Sequence, residues 1–522
     1  MALDILIKNG TIVDGVGTPA YHADIAIKNG KIEKIGFLGE PSAKTVIDAT
    51  GQYVAPGFID INNASDRHWA LFSHPLSESL LYQGVTTIIG GNCGSSLAPL
   101  TTGNIIATIQ KWADIKQINV NWLTLSDFFA EVKRKKLLLN FGTLVGHATL
   151  RRDVVGDEFR ELTEKELAQM KHLLTEALAE GALGFSTGLV YSHAKSATAD
   201  EITSLVSVLN PGKIYNSHLR NEEGKLYESI LEAVDVAKKT KTNIEISHLK
   251  SVGKKNWDLF DKVLETILRA AEEGININFD IYPYTSTATV FYTMLPDFVA
   301  VGGRMKLVEN LKNQELKKRI IEEMRDKEKD FNDIIVAGGD IDKTFIGKTI
   351  GVISQNQGTG ILETAINLLT AAEGKLVVFW PSLSEENFIR ALKSPLSIIA
   401  SDGAAYNLND AREGYLAHPR SFGCFPRVLS RYVREKNIIS LEEAVKKMTA
   451  LPALKIGLSY RGIIQQGFFA DITIFNPDTI KDLASFENPF QYAQGIHSVI
   501  INGQVALSGG TIQNQGLGQI LR

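Results

Sequence analysis

Asn243-Ile244-Glu245-Ile246-Ser247-His248-Leu249-Lys250 reads as a short β-strand, 243–247, that delivers a histidine at its C-terminal tip. A helical pattern follows at 257–273, its apolar residues spaced by three and four. The same unit recurs on both sides. Further strand candidates lie at 57–61, 85–90, 141–146, 182–186, 213–217, 275–280 and 396–401, with helical patterns at 164–180 and 225–240. Eight strands alternating with helices predict an α/β chain folded as a parallel (β/α)8 barrel of the TIM type, whose functional groups sit at the C-terminal strand ends. Polar residues fall at those ends: Cys93 in Gly91-Asn92-Cys93-Gly94, His218 in Ser217-His218-Leu219-Arg220, His248, and Asp402 in Ser401-Asp402-Gly403. A doubly wound open sheet is the alternative. The spread of polar residues over many strand ends favours the barrel.

The chain has 522 residues, enough for a large barrel and a minor domain. Both ends read as β-structure. Residues 4–8 and 11–13 flank Asn9-Gly10, Asn29-Gly30 sits between further alternating runs, and Val499-Ile500-Ile501 precedes Asn502-Gly503. Asn-Gly favours the tight positive-φ turn of a hairpin. The expectation is a small β-sandwich domain built from both termini, 1–55 and 460–522, beside a barrel over 56–459. The long gap between the last two strand candidates holds Lys/Glu-rich helical sequence at 304–329. It predicts an insertion near the barrel mouth, roughly within 285–375.

A net charge of −4 gives no electrostatic case for nucleic acid or an anionic membrane surface. No apolar run approaches the roughly 20 residues of a membrane span, and the first residues, MALDILIKNG, lack the pattern of a signal peptide. The two cysteines, Cys93 and Cys424, do not suggest a disulfide framework. A reducing cytoplasm is the expected compartment, with Cys93 free to act as a thiolate. The composition is compatible with an oligomer and does not specify one.

Thiolate, imidazole and carboxylate are zinc ligands, and a catalytic site keeps one position open for water. Cys93, His218 and His248 would supply three ligands, and Asp402 would face the bound water and take its proton. Singly, a cysteine reads as packing and an Asp before Gly as a turn residue. Their joint placement at four strand tips is what points to a metal site.

The chain also resembles a known family, the D-aminoacylase (N-acyl-D-amino-acid deacylase) branch of the amidohydrolase superfamily. The matching stretches include Ala55-Pro-Gly-Phe-Ile-Asp60, Gln83-Gly-Val-Thr-Thr87, Gly91-Asn-Cys-Gly94, Leu144-Val-Gly-His147, Ser186-Thr-Gly-Leu189, the His218 and His248 segments, Asp280-Ile-Tyr-Pro-Tyr284, Ser401-Asp-Gly403 and His418-Pro-Arg420. The resemblance covers nearly the whole chain. It implies a (β/α)8 barrel, a zinc ion on Cys93, His218 and His248, and Asp402 as general acid and base. The departure is at the first strand. The family pattern after Gly-Phe-Ile-Asp runs x-His-x-His, where this chain has Ile61-Asn62-Asn63-Ala64. Those histidines serve a second metal position, so one zinc per chain is expected here. His68 and His74 are nearby, but their spacing makes them poor replacements.

The implied substrate is a small N-acyl amino acid, with an amide to cleave and a carboxylate to hold. The resemblance puts the Lys250 amine on that carboxylate. Arg220 stands in the same relation to His218 as Lys250 does to His248, and Arg420 follows His418; a bidentate arginine contact would be the stronger one. Tyr282 and Tyr284 flank Pro283 after the seventh strand, and one hydroxyl is a candidate for the substrate. Tyr191 is a candidate for the acyl pocket, and His147 reads as structural. Two rivals stand beside the deacylase reading. One is a hydrolase of a cyclic amide or another N-acyl substrate. The other is a binding protein that kept the barrel and lost catalysis with the histidine pair.

Overall fold

Between Phe58 and Ile399 eight short strands build a barrel: Phe58–Asp60, Val85–Gly90, Asn140–Thr143 continuing as Val145–Gly146, Gly184–Gly188, Ile214–His218, Asn243–Ile246, Ile277–Ile281 and Ser397–Ile399. The computed structural model describes residues 2–101 and 120–522. Successive strands from the first to the eighth pair in parallel, with the third shared between two ladders. The ring closes just past the tips of the eighth and first strands. There Asp402 N donates to Asn62 O at 2.9 Å and Ala64 N to Gly403 O at 2.7 Å. The closing seam therefore runs through Asp402.

The strand residues are buried on both faces, which suits the β-branched runs of a parallel sheet covered by helices. The helix Leu259–Glu272 buries Phe260, Val263, Ile267 and Ala270, a spacing of three, four and three. Each large apolar side chain so buried contributes roughly 1.5–3 kcal/mol. The helices Glu164–Ala179 and Leu226–Thr240 repeat the arrangement close to their expected positions.

Strands from both ends of the chain share one nine-stranded sheet. Leu3–Ile12, Tyr21–Lys28, Lys31–Gly36, Ala43–Asp48 and Tyr53–Pro56 join Ile472–Phe475, Ile496–Ile501, Gln504–Ser508 and Thr511–Ile512. Its core is rich in isoleucine, including Ile5, Ile7, Ile25, Ile27, Ile472 and Ile500. Asn29-Gly30 and Asn502-Gly503 are the expected turns, all four residues with positive φ. Asn9-Gly10 is not. Strand Leu3–Ile12 runs straight through it, and the register with Tyr21–Lys28 shifts between Ile7 and Gly10. The pair forms a bulge because residues 5–7 and 10–12 share one partner strand instead of pairing with each other. A Cβ at Gly10 would lie 2.6 Å from Val54 Cγ2, so only glycine fits the crossing.

The chain between the seventh and eighth barrel strands makes a body of its own. Strands Thr287–Val290, Ile335–Gly338 and Val377–Trp380 form a three-stranded antiparallel sheet. Helices Gly303–Lys312, Gln314–Glu323, Ile350–Gln357 and Ile361–Ala371 pack on it. A separate core holds it together, with Phe291, Leu311, Ile320, Ile353 and Trp380 among its members. One of its strands lies past residue 375, so the chain returns to the barrel only after Trp380. Among the described residues no helix is long and apolar enough to cross a membrane.

Candidate metal centre

Cys93 leaves the second barrel strand on a loop that glycine makes possible. A Cβ on Gly94 would lie 2.6 Å from Gly188 N, and one on Gly188 would lie 2.2 Å from Cys93 O. The loop thus packs against the fourth strand and turns the Cys93 thiol into the barrel mouth. His218 ends the fifth strand, and His248 follows the sixth, where Leu249 N donates to Asp280 O at 2.9 Å. The three side chains meet. Cys93 Sγ is 3.5 Å from His248 Nε2, which is 3.1 Å from His218 Nδ1. All three ligand atoms lie within 4.8 Å of one another, and all three residues are buried. Cys93, His248 and Asp402 share a further feature: left-handed backbone, with φ of 53°, 36° and 46°. Such conformations cost of order 1–3 kcal/mol each outside glycine and persist where the surroundings over-determine them.

The donor set fits a divalent ion. Burial would raise the Cys93 pKa, but the charges of Arg67 and His248, with hydrogen bonds from both imidazoles, carry it well below its ordinary value. A thiolate is the form a metal needs. Burial and the neighbouring Lys250 charge oppose protonation of His248, yet Asp402 and Cys93 carry that imidazole up to about 10. Its proton therefore sits where a cation is wanted, and a metal would displace it. His218 moves the other way, lowered by burial and by the His248 charge. Its buried Nε2 makes no hydrogen bond among the described residues.

Outer groups fix these ligands. Glu222 Oε1 lies 3.2 Å from His248 Nδ1 and 3.7 Å from His218 Nε2. Lys250 Nζ donates to the same Glu222 oxygen at 2.6 Å and lies 2.7 Å from His248 Nδ1. A carboxylate on the far nitrogen of His248 is the usual means of orienting a metal-binding imidazole. Tyr191 packs edge-on against His218, ring centres 5.3 Å apart.

Asp402 faces the triad from the closing seam. Arg420 Nη1 is 2.9 Å from its Oδ2 and Arg67 Nη2 is 3.7 Å from its Oδ1. Burial would raise its pKa, but Arg420, His248 and Arg67 hold it below the ordinary carboxylate value, so it is ionised at neutral pH. The Arg420 guanidinium also lies over the Tyr282 ring, 4.7 Å from its centre. Tyr282 Oη and Arg420 Nε make no hydrogen bond among the described residues. A cavity of about 1140 Å³ opens over these groups and reaches the insertion at Met294, Lys327 and Trp380.

Not every residue singled out in the sequence turns to that space. Arg220 lines the wall, but its guanidinium is committed to Glu232 at 2.7 and 2.9 Å and to the carbonyls of Lys195 and Ala197. His147 is buried on Glu201 at 2.8 Å, as its structural reading expects. Of the two tyrosines, Tyr282 lines the cavity, whereas Tyr284 donates to Pro419 O and packs on Arg427. His68 contacts Tyr406 Oη at 3.2 Å, and His74 contacts Asn407 and Asp410. Neither approaches the triad as a ligand. Asn62, in the family's histidine position, donates to the Asp280 carboxylate at 3.2 and 3.3 Å. Sequence reasoning missed two participants. Glu222 carries a faint signal, four residues past His218. Arg67 carries none, since its loop position resembles any surface charge.

A family model described as amidohydrolase family matches residues 401–507, and one described as the urease alpha-subunit N-terminal domain matches residues 1–55. The chain is 32% identical to a D-aminoacylase of Alcaligenes xylosoxydans xylosoxydans over 519 residues, 99% of this chain and 97% of that protein. It is 32% identical to an N-acyl-D-aspartate deacylase of the same organism over 520 residues, 99% and 95% of the two chains. Among solved structures it is similar to an N-acyl-D-glutamate deacylase from Bordetella bronchiseptica, complexed with zinc and a phosphonate that mimics the tetrahedral intermediate. That similarity has a TM-score of 0.86 and 30% identity and covers 100% of both chains. A D-aminoacylase described by one-metal activation and second-metal attenuation at a binuclear centre gives a TM-score of 0.84 and 30% identity, covering 99% of each chain.

Proposed function

This chain belongs to the D-aminoacylase (N-acyl-D-amino-acid deacylase) branch of the amidohydrolase family, and from that premise we propose that it hydrolyses the amide bond of N-acyl-D-amino acids. The products are a carboxylic acid and a free D-amino acid. Cys93, His218 and His248 would hold one zinc ion for the reaction. The observation that carries the reading is the convergence of this triad with an ionised Asp402 in one cavity. The relatives' zinc complex and their one-metal activation support it.

When bound, the zinc ion supplies Lewis acidity, acidifying water and polarising the scissile carbonyl. The rest is done by the chain's own side chains. Asp402 accepts the proton of the attacking water and hands it to the leaving amine. Arg420 and Tyr282 keep donors for the substrate carboxylate at the edge of the cavity. Lys250 joins them. A protonated His248 Nδ1 and the Lys250 ammonium are both donors, and Glu222 Oε1 is the acceptor they share. Bonds to Glu222 Oε1 at 2.6 Å and His248 O at 3.1 Å hold the Lys250 ammonium in the cavity wall as a cation for the substrate carboxylate. Tyr191, beside His218, borders the acyl group. Thiolate chemistry at Cys93 suits a reducing cytoplasm, the compartment proposed here.

The test is a panel of N-acyl-D-amino acids, with L-isomers and cyclic amides as controls, run on metal-analysed protein. About one zinc per chain and turnover confined to D-isomers is the expected result. Turnover of cyclic amides instead would make it a hydrolase of another substrate. One bound zinc with no turnover of any amide would favour a barrel retained for binding.

A further inference from the structure

The end of the first barrel strand carries no imidazole, thiolate or carboxylate at positions 62 and 64. Ala64 presents a methyl group, and Asn62 donates its amide nitrogen to Asp280, its neutral Oδ1 being left without a hydrogen-bond partner among the described residues. Arg67, three residues beyond Ala64, sends a guanidinium to that side of the cavity instead. Its side chain is only 7% exposed, with Nη2 3.7 Å from Asp402 Oδ1. It lines the same cavity as Cys93, His218 and His248. Its buried Nε has no hydrogen-bond partner among the described residues. Burial works against its charge, but Cys93, Tyr191, Asp402 and Asp66 all work to keep it.

A buried charge persists only when it is paired. A metal on the triad answers the Cys93 thiolate, which leaves Asp402 ionised and needing a partner of its own. Arg420 answers one carboxylate oxygen and Arg67 approaches the other. A second divalent ion beside Cys93 and Asp402 would meet a fixed positive charge, and like charges repel strongly where burial leaves little water to screen them.

We propose that the Arg67 guanidinium is the built-in second cation of this site: it stands beside Cys93 and Asp402, excludes a second metal ion and holds Asp402 in place. Arg67 is thus a positioning residue, and the inference rests on the reading of Cys93, His218 and His248 as a metal centre. It also bears on restoring the histidine pair at positions 62 and 64. Two imidazoles at 62 and 64 would project from one face of the strand end, but they would share that face with a resident charge.

Elemental analysis after zinc loading and desalting tests this on a graded set of variants. The parent and the Asn62→His/Ala64→His variant should each hold about one zinc. Adding Arg67→Met to that pair should raise the content toward two, and adding Arg67→Lys, which keeps the charge, should leave it at one. Circular dichroism and melting curves verify folding. Arg67→Gln, neutral but still polar, carries the same expectation as Arg67→Met if the latter does not fold. Two firmly held ions with Arg67 intact would overturn the inference, as would one ion when Arg67 is neutralised by either substitution. A parent without metal would overturn the metal-centre reading itself, a separate and distinguishable failure.

Discussion

Across the barrel mouth two groups of strand ends solve the same charge problem differently. The fifth and sixth strands present His218 and His248, braced behind by Glu222 and Lys250. The first and eighth present Asn62, Ala64 and Asp402, with Arg67 and Arg420 as the cations. Beside the two imidazoles stands the Cys93 thiolate from the second strand, whose counter-charge would be a metal; on the other side the Asp402 carboxylate has its counter-charge from the chain. The difference teaches that a site of this architecture needs its charges compensated, and that either an ion or a guanidinium can do so. A guanidinium cannot acidify water, so the chemistry falls to the histidine side and proton transfer to the seam.

Three variants sharpen or break that division. The largest effect is expected at the seam. Asp402→Asn should keep the metal and the fold while kcat falls by roughly 10²-fold or more, the usual scale for general acid–base work. Full activity would move the proton to another group and dissolve the contrast. A smaller effect is expected from Lys250→Ala. KM for N-acyl-D-amino acids should rise about tenfold, with little change for the matching N-acyl amides, which lack the carboxylate. Equal changes on both substrates would return Lys250 to a purely bracing role beside Glu222. The least catalytic effect belongs to Arg220→Ala. KM should stay within about twofold, while loss of the Glu232 pairing lowers stability by about 1–2 kcal/mol in a thermal melt. A marked rise in KM would make Arg220 a substrate contact after all.

Much of this was legible along the chain. Strand and helix alternate with periods that survive without knowledge of the fold, and the helix Leu259–Glu272 buries the very face its spacing marks. Strand tips are where a barrel collects function, so Cys93, His218, His248 and Asp402 could be picked out together before their distances were known. Asn9-Gly10 shows the limit of local reading. Its dipeptide chemistry permits a hairpin turn, and only the register with Tyr21–Lys28 makes it a bulge. Arg220 shows another. Its position two residues past His218 matches that of Lys250 past His248, yet Glu232, on the following helix, takes up its guanidinium.

The sequence by itself determined the periodic elements, the missing histidine pair and the four polar tips, because each is a property of residues near one another in the chain. Tertiary structure decided the rest. Which tyrosine faces the cavity, which carboxylate backs His248 and which cation answers Asp402 all depend on contacts between distant segments. Arg67 is the clearest case. Asp402 lies 335 residues away in the chain, yet the seam between first and eighth strands brings the two side chains to 3.7 Å. Burial then makes that approach matter, since a charge that water would screen at a surface must here be met by another side chain.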